Sequence, residues 1–260
     1  MDQTLIDRYG DELHRALIER VPVAPITGRQ SGIGIEDAYR IQQRMIGHRL
    51  QAGERVIGKK IGVTSRAVQE MLDVYQPDFG WLLSGMLVDD GTAIALDTLI
   101  QPRAEGEIAF LLKRDLQGPG VTAADVLAAT EGVIACFEIV DSRIRDWKIR
   151  IQDTVADNAS CGLIVLGDRI VDPHKVDLAL CGMVLEKNGE IECTGAGAAA
   201  LGHPLNCVAW LANTLGRLGI GLKAGEIILS GSLGKLVPVA RGDQLRVTIG
   251  GIGAASVRFQ

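Results

Sequence analysis

Ala104-Glu105-Gly106-Glu107-Ile108-Ala109-Phe110-Leu111-Leu112 reads as a β-strand carrying two carboxylates one residue apart. A second run, Val133-Ile134-Ala135-Cys136-Phe137-Glu138-Ile139-Val140, is apolar apart from Glu138. Side chains leave a strand with a period of two, so Glu105 and Glu107 share one face of the sheet. Their Cα atoms are then roughly 6.5–7 Å apart, within reach of a single ion. A charge among Ile, Phe and Val is costly to bury unless something pairs with it. Three acidic groups with few basic partners point to a divalent cation, and hard carboxylate oxygens favour Mg²⁺, Mn²⁺ or Ca²⁺ over zinc. The alternative is structural: Glu105 or Glu138 pairs with Arg103, Lys59 or Lys60 in a buried salt bridge. Spacing alone leaves both readings open.

Around these two strands, further strand-like runs occur at 56–63, 163–166, 178–187, 226–230, 244–249 and 255–259, and Asn188-Gly189 marks a hairpin turn. Thr122 is placed to cap a helix at 123–130, and Pro204 to open one at 205–218. Near the N-terminus, Leu5, Ile6, Tyr9, Leu13, Leu17 and Ile18 follow helical spacing. Tyr39, Ile41, Met45 and Ile46 do the same within a helix expected at 36–50. Between them, 21–34 carries Pro22, Pro25, Gly28, Gly32 and Gly34 and reads as a loop. The strands are short, numerous and not in strict βαβ alternation. The expected class is α+β: a mixed, curled β-sheet or sandwich forming a catalytic domain at 55–260, with a helical N-terminal portion at 1–54 packed on it.

Composition narrows the function. The net charge is −5 without a basic stripe, which argues against nucleic acid as a partner. No apolar run approaches the roughly 18–20 residues of a membrane span. The opening Met1-Asp2-Gln3-Thr4 is acidic and amphipathic, unlike a signal peptide. Five cysteines without CxxC pairs read as reduced thiols packed as small hydrophobes, as in a cytoplasmic protein. Aromatic residues are only 4%, so the core must rely on Ile, Leu, Val and Ala.

Other residues offer acid–base or binding chemistry. Lys59 and Lys60 point to opposite faces of their strand, which suggests one buried and one solvated lysine. A lysine facing an anionic pocket binds a carboxylate or acts as an acid–base group; two surface lysines are the alternative. Asp78, in Gln76-Pro77-Asp78-Phe79-Gly80, sits in an expected turn, where capping is the common role. The polar stretch 153–162 reads as a loop whose Asn158 amide, Ser160 hydroxyl and backbone donors suit a carboxylate. His203 is a weak acid–base candidate, and His14, His48 and His174 read as surface residues. Neither 58–65 nor 194–200 makes a nucleotide-binding loop, because GxxxxGK[ST] and the βαβ context are absent.

Together these segments carry a resemblance. Gly58-Lys-Lys-Ile-Gly-Val-Thr-Ser65, Gln76-Pro-Asp-Phe-Gly80, Gln101-Pro-Arg-Ala-Glu-Gly-Glu107, Glu138-Ile-Val-Asp-Ser-Arg-Ile-Arg-Asp-Trp147, Asp153-Thr-Val-Ala-Asp-Asn-Ala-Ser-Cys-Gly162 and Gly195-Ala-Gly-Ala-Ala-Ala-Leu-Gly-His-Pro204 follow one another in family order. Over essentially its whole length the chain resembles the 2-oxopent-4-enoate (2-hydroxypenta-2,4-dienoate) hydratases of meta-cleavage aromatic degradation. These belong to the fumarylacetoacetate hydrolase-like superfamily, with a β-rich mixed domain and a divalent metal held by three carboxylates. The resemblance maps Glu105, Glu107 and Glu138 onto the metal ligands and implies Mg²⁺ or Mn²⁺. It implies hydration of a small anionic dienol to 4-hydroxy-2-oxopentanoate, with the substrate's carboxylate and 2-oxygen chelating the metal. Lys60 and Asp78 are then the acid–base candidates, and Ser160, Asn158 and Lys60 the substrate-binding ones.

The resemblance also implies a homo-oligomer and association with 4-oxalocrotonate decarboxylase, a relative on the same scaffold. In that decarboxylase the stretch matching 76–80 lacks the Asp-Phe pair and the counterpart of 143–147 differs, whereas both look hydratase-like here. The alternatives are a decarboxylase and a non-catalytic partner subunit, although an intact three-Glu set argues against idleness. An acylpyruvate hydrolase would bring an activating N-terminal histidine motif, which neither His14 nor His48 supplies.

Overall fold

A computed structural model of the chain describes residues 1–65, 69, 70, 74 and 76–260. Helix α1 (Gln3–Glu19) starts at Asp2, whose carboxylate accepts from Leu5 N–H at 2.8 Å, and ends at Arg20 in the left-handed conformation. After a single turn, α2 (Ile26–Arg29), comes α3 (Ile35–Gln51), with Glu36 and Asp37 in its first turn and His48 and Arg49 in its last, as the helix dipole favours. The strands are β1 (Val56–Gly62), β2 (Asp78–Leu83), β3 (Leu87–Val88), β4 (Ala93–Ile94) and β5 (Pro102–Leu112). Helix α4 (Ala123–Ala129) leads into β6 (Thr130–Asp141), and α5 (Ile151–Ala156) into β7 (Cys161–Leu166). The hairpin β8 (Gly182–Lys187) and β9 (Glu190–Ala196), helix α6 (Pro204–Gly216), and β10 (Ile227–Leu229), β11 (Val237–Pro238), β12 (Gln244–Ile249) and β13 (Gly253–Phe259) complete the order.

Two sheets result. The larger runs β2-β1-β10-β5-β6-β7-β3, with β11 added to β5, and the smaller runs β4-β13-β12-β8-β9. Strand alternation divides β5 and β6 between two cores. Ala104, Ile108, Phe110 and Leu112, with Val133, Ala135, Phe137 and Ile139, face the smaller sheet together with α4 and α6. On the opposite face Ala109, Ile134 and Cys136 meet the N-terminal helices through Ile6, Leu13, Ile41 and Met45. That second face also carries Glu105, Glu107 and Glu138. Gly106 lies on the first: a Cβ there would stand 2.7 Å from Val247 Cγ2 and 3.2 Å from Met183 Sδ, so the glycine between the two glutamates is what lets the sheets close.

This is the mixed curled sheet with N-terminal helices that the sequence suggested, with local differences. The stretch 21–34 contains the α2 turn, and Val23 bridges to Ile144. The polar stretch at 153–162 is not a loop. It is α5, a left-handed turn and the first residues of β7, anchored by buried Asp153 accepting from Thr27 and Arg150. Strand β8 starts at 182 because Asp177 ties Ala179 and Leu180 N–H groups into a turn first. Ile18 extends the apolar pattern of α1 but is exposed. All five cysteines are free and buried, and no helix among the described residues is long and apolar enough to cross a membrane.

Gly106→Val should therefore destabilise the fold by about 1–3 kcal/mol through overpacking between the sheets. Chemical denaturation checks this, and an unchanged midpoint would show that the sheets can separate without cost.

Candidate functional site

Glu105 and Glu138 are direct cross-strand partners in the β5–β6 ladder, and Glu107 stands opposite Cys136. One carboxylate oxygen from each of Glu105, Glu107 and Glu138 lies within 4.8 Å of the others. Like charges facing each other across a ladder repel, and burial at 0–9% exposure removes the water that would screen them. Glu107 Oε2 accepts from Gly231 N–H at 2.8 Å. Glu107 Oε1 and both Glu138 oxygens, although buried, meet no aligned hydrogen-bond donor among the described residues. Hard, convergent carboxylate oxygens without aligned donors are the set that Mg²⁺, Mn²⁺ or Ca²⁺ takes.

The nearest cation is Lys60. From β1 its Nζ lies 3.2 Å from Glu138 Oε1 and donates to Ala159 O at 3.0 Å. Burial on its own would lower the lysine pKa, but Glu138, Asp78 and Glu105 together outweigh it and hold the ammonium above its ordinary range. Lys59 points to the other face, as strand geometry requires, but it is also buried: it pairs with Glu226 at 2.6 Å and lies 5.2 Å from the Trp81 ring. The expectation of one solvated lysine is corrected by that pairing.

Asp78 is not a turn cap. It opens β2, is 2% exposed, and has no hydrogen-bond partner on either oxygen among the described residues. Burial raises its pKa to about 6, with Lys60 opposing the rise and Glu138 adding to it. A Cβ on Gly62 would stand 2.3 Å from Asp78 Oδ1 and 3.1 Å from Lys60 Nζ, so the two candidate acid–base groups converge over the space that the glycine leaves open on one face of the sheet. Strand β2 is held from the N-terminal helices by buried Gln42, whose Nε2 donates to Phe79 O and Val155 O, each at 2.9 Å.

A cavity of about 480 Å³ opens over Glu105, Lys60 and Asp78. Ser160 and Thr154 supply hydroxyls to its wall, and Val140, Ile149 and Leu236 supply apolar surface. Asn158 does not reach the cavity: its Oδ1 accepts from Trp81 N–H at 2.8 Å and its Nδ2 donates to Trp81 O at 2.9 Å. Both ends of its amide are engaged by the Trp81 backbone on β2. His203 caps α6, with Nδ1 accepting from Leu205 N–H at 3.1 Å. Sequence reading missed Arg103 and Trp147 as wall residues. The Arg103 guanidinium lies 4.5 Å from the Trp147 ring, and Trp147 donates to Gln101 O. Arg103 is legible after the fact, two residues before Glu105 and so on the same strand face.

The profile of the fumarylacetoacetate hydrolase C-terminal family matches residues 54–260. The chain belongs to that family. It is 67% identical to a 2-hydroxypent-2,4-dienoate hydratase of Pseudomonas putida over 85% of this chain and all of that one. It is 57% identical to a 2-hydroxyhexa-2,4-dienoate hydratase of Comamonas testosteroni, over 99% of this chain and 98% of the relative. Among solved structures, a 4-oxalocrotonate decarboxylase from Pseudomonas putida G7, complexed with magnesium and adipate, superposes with a TM-score of 0.97 at 36% identity. That similarity covers 100% of this chain and 99% of the decarboxylase, the N-terminal helices included. This member of the family is an enzyme of the hydro-lyase type.

Glu105 has its pKa raised to about 7, first by burial and then by Glu138, and Glu107 is pushed well up by burial, Glu138 and Glu105. Carboxylates whose folded pKa lies above the unfolded value favour the metal-free fold at low pH and lose that contribution as pH rises through about 7. Cation binding needs the deprotonated groups and so runs the other way. Mg²⁺ affinity measured by calorimetry should increase from pH 6 to pH 8, while the Tm of metal-free protein falls over the same interval. A pH-independent affinity would rule out these carboxylates as the ligands.

Proposed function

We propose that the chain hydrates 2-hydroxypenta-2,4-dienoate (2-oxopent-4-enoate) to 4-hydroxy-2-oxopentanoate in meta-cleavage aromatic catabolism. The observation that carries the reading is the convergence of three buried carboxylates, several of their oxygens without a hydrogen bond, where Glu105, Lys60 and Asp78 open onto one cavity. The hydratases named above support the reaction and the substrate class. Glu105, Glu107 and Glu138 hold Mg²⁺ or Mn²⁺, which when bound supplies Lewis acidity toward a chelating 2-oxo acid.

The chain's own groups carry the protons. Asp78, with a pKa of about 6, is populated in both protonation states near neutrality, as a group that gives and takes a proton requires. It delivers a proton to C5 of the dienol while the 2-hydroxyl proton passes to solvent; as the carboxylate it takes one from the water that adds at C4, returns it to C3, and is reprotonated from solvent for the next cycle. Lys60 stays an ammonium beside Glu138, orients the reacting oxygen and steadies negative charge as C3 is protonated. The Ser160 hydroxyl, on the cavity wall, binds the substrate carboxylate. Asn158 acts at one remove, by fixing the strand that presents Asp78. The helical portion, residues 1–54, serves the catalytic domain at 55–260 in the same way through Gln42.

A second reading, decarboxylation of a dicarboxylic relative of this substrate, is favoured by one observation: Arg103 on the cavity wall offers a cation to a second carboxylate. A cytoplasmic homo-oligomer that associates with the pathway's decarboxylase is part of the proposal.

Metal-stripped protein given 2-hydroxypenta-2,4-dienoate should yield 4-hydroxy-2-oxopentanoate by NMR only after Mg²⁺ is restored. Unreacted dienol or its ketonised tautomer would move the weight to the decarboxylase. Asp78→Asn should lower kcat by about 10²–10⁴-fold with Mg²⁺ affinity nearly intact, and full activity in that variant removes Asp78 from the reaction. Glu107→Gln should weaken Mg²⁺ binding at least about tenfold by calorimetry, and an unaltered titration excludes it as a ligand.

A further inference from the structure

Between α5 and β7, Asn158, Ala159 and Ser160 take φ values of 54°, 49° and 55°, three successive non-glycine residues in the left-handed region. Side chains with a Cβ rarely adopt that region singly, and a run of three persists only where the surroundings over-determine it. The surroundings here are a buried ion pair, with Arg143 1% and Asp157 0% exposed. Arg143 Nε donates to Asp157 Oδ1 at 2.5 Å, and its own N–H donates to Asp157 Oδ2 at 2.9 Å. The guanidinium also donates to the carbonyls of Asp141, Cys161 and Asp157, so it spans the turn from both sides. Ser142 and Ser160 hydroxyls complete the shell of Asp157 Oδ2 at 3.1 and 3.4 Å.

What this turn touches is the candidate acid–base pair. The Ala159 carbonyl receives the Lys60 ammonium at 3.0 Å. Asn158 is bonded to both backbone groups of Trp81 on β2, the strand that begins with Asp78. A Cβ on Gly80 would stand 2.5 Å from Asn158 O, so turn and strand are in direct backbone contact. Lys60 and Asp78 are thus positioned by adjacent residues of one strained segment.

We infer that Arg143 and Asp157 are positioning residues for turnover, holding the left-handed turn 158–160 that orients Lys60 through the Ala159 carbonyl and Asp78 through the Asn158–Trp81 contact. This role rests on the hydratase reading above. The pair touches neither the cavity nor the three glutamates, so its effect is on the geometry of proton transfer rather than on cation binding.

Two variants test it. Asp157→Asn removes the charge that Arg143 holds. Arg143→Lys keeps a cation opposite Asp157 but loses the planar fork that reaches the carbonyls of Asp141, Cys161 and Asp157 across the turn. Asp157→Asn should lower kcat by about 10²-fold. Arg143→Lys should lower it about tenfold at temperatures where the variant is fully folded, a loss that a purely structural role does not produce. In both, Mg²⁺ affinity by calorimetry should change by less than about threefold, and the fall in kcat should exceed any change in KM. Wild-type turnover in folded Arg143→Lys overturns the inference, even if Asp157→Asn fails to fold. Parent protein that makes no hydration product overturns the hydratase reading and this role with it, whereas active parent and equally active variants overturn the positioning role alone.

Discussion

Glu105 facing Glu138 across an antiparallel ladder is the constraint on which the rest of the site depends. Two carboxylates in that register, with Glu107 and Asp78 also buried, put four acidic groups around the single ammonium of Lys60. Repulsion of this kind in a low-dielectric interior is relieved in two ways: the groups keep protons at higher pH than usual, or a cation joins them. The raised pKa values of Glu105 and Asp78 and the unbonded oxygens of Glu138 are the marks of that imbalance. Such an arrangement costs folding free energy, and it stands because two hydrophobic layers, one on each side of the large sheet, hold β5 and β6 in register.

The central strands and the acidic triad were legible because strand periodicity is a local property. Period two along 104–112 put Glu105 and Glu107 on one face, whereas bringing Glu138 to them took the pairing of β6 with β5. The two terminal helices and the Asn188-Gly189 hairpin followed from equally local signals. What escaped the sequence depended on distant partners. Asp78 looked like a turn residue because Pro77 precedes it and Gly80 follows, and only pairing with β1 makes 78–83 a strand. The stretch 153–162 looked like a polar loop because its Asp, Thr, Asn and Ser bond to Thr27, Trp81 and Arg143, residues far away in the chain. One of the two lysines was expected in solvent because Glu226, which pairs with Lys59, is remote from it in the chain.

A hydratase and a decarboxylase can share this scaffold because the three buried carboxylates sit on the sheet while the cavity walls come from separate segments. Val63 to Ser65, Asp146 to Ile149, Thr154 to Ser160 and Ser232 to Leu236 each contribute. Several of these residues, including Val63, Asp146 and Trp147, have positive φ despite carrying side chains. Backbone strain gathered around a cavity, over a sheet that is itself regular, fits a division between a rigid floor and walls shaped for one substrate.

The alternation along β5 has an electrical meaning as well. Behind the glutamates, Ile108, Phe110, Phe137 and Ile139 form a hydrocarbon slab closed by the second sheet. Such a slab polarises weakly, so field lines from the ionic face are turned away from it and out through the cavity mouth. The molecule as a whole is anionic, which repels an anionic substrate at a distance. The insulating layer makes the local field at the mouth, set by the carboxylates, Lys60 and Arg103, count for more than the overall charge. The apolar side of the strand thus acts as a reflector for the polar side.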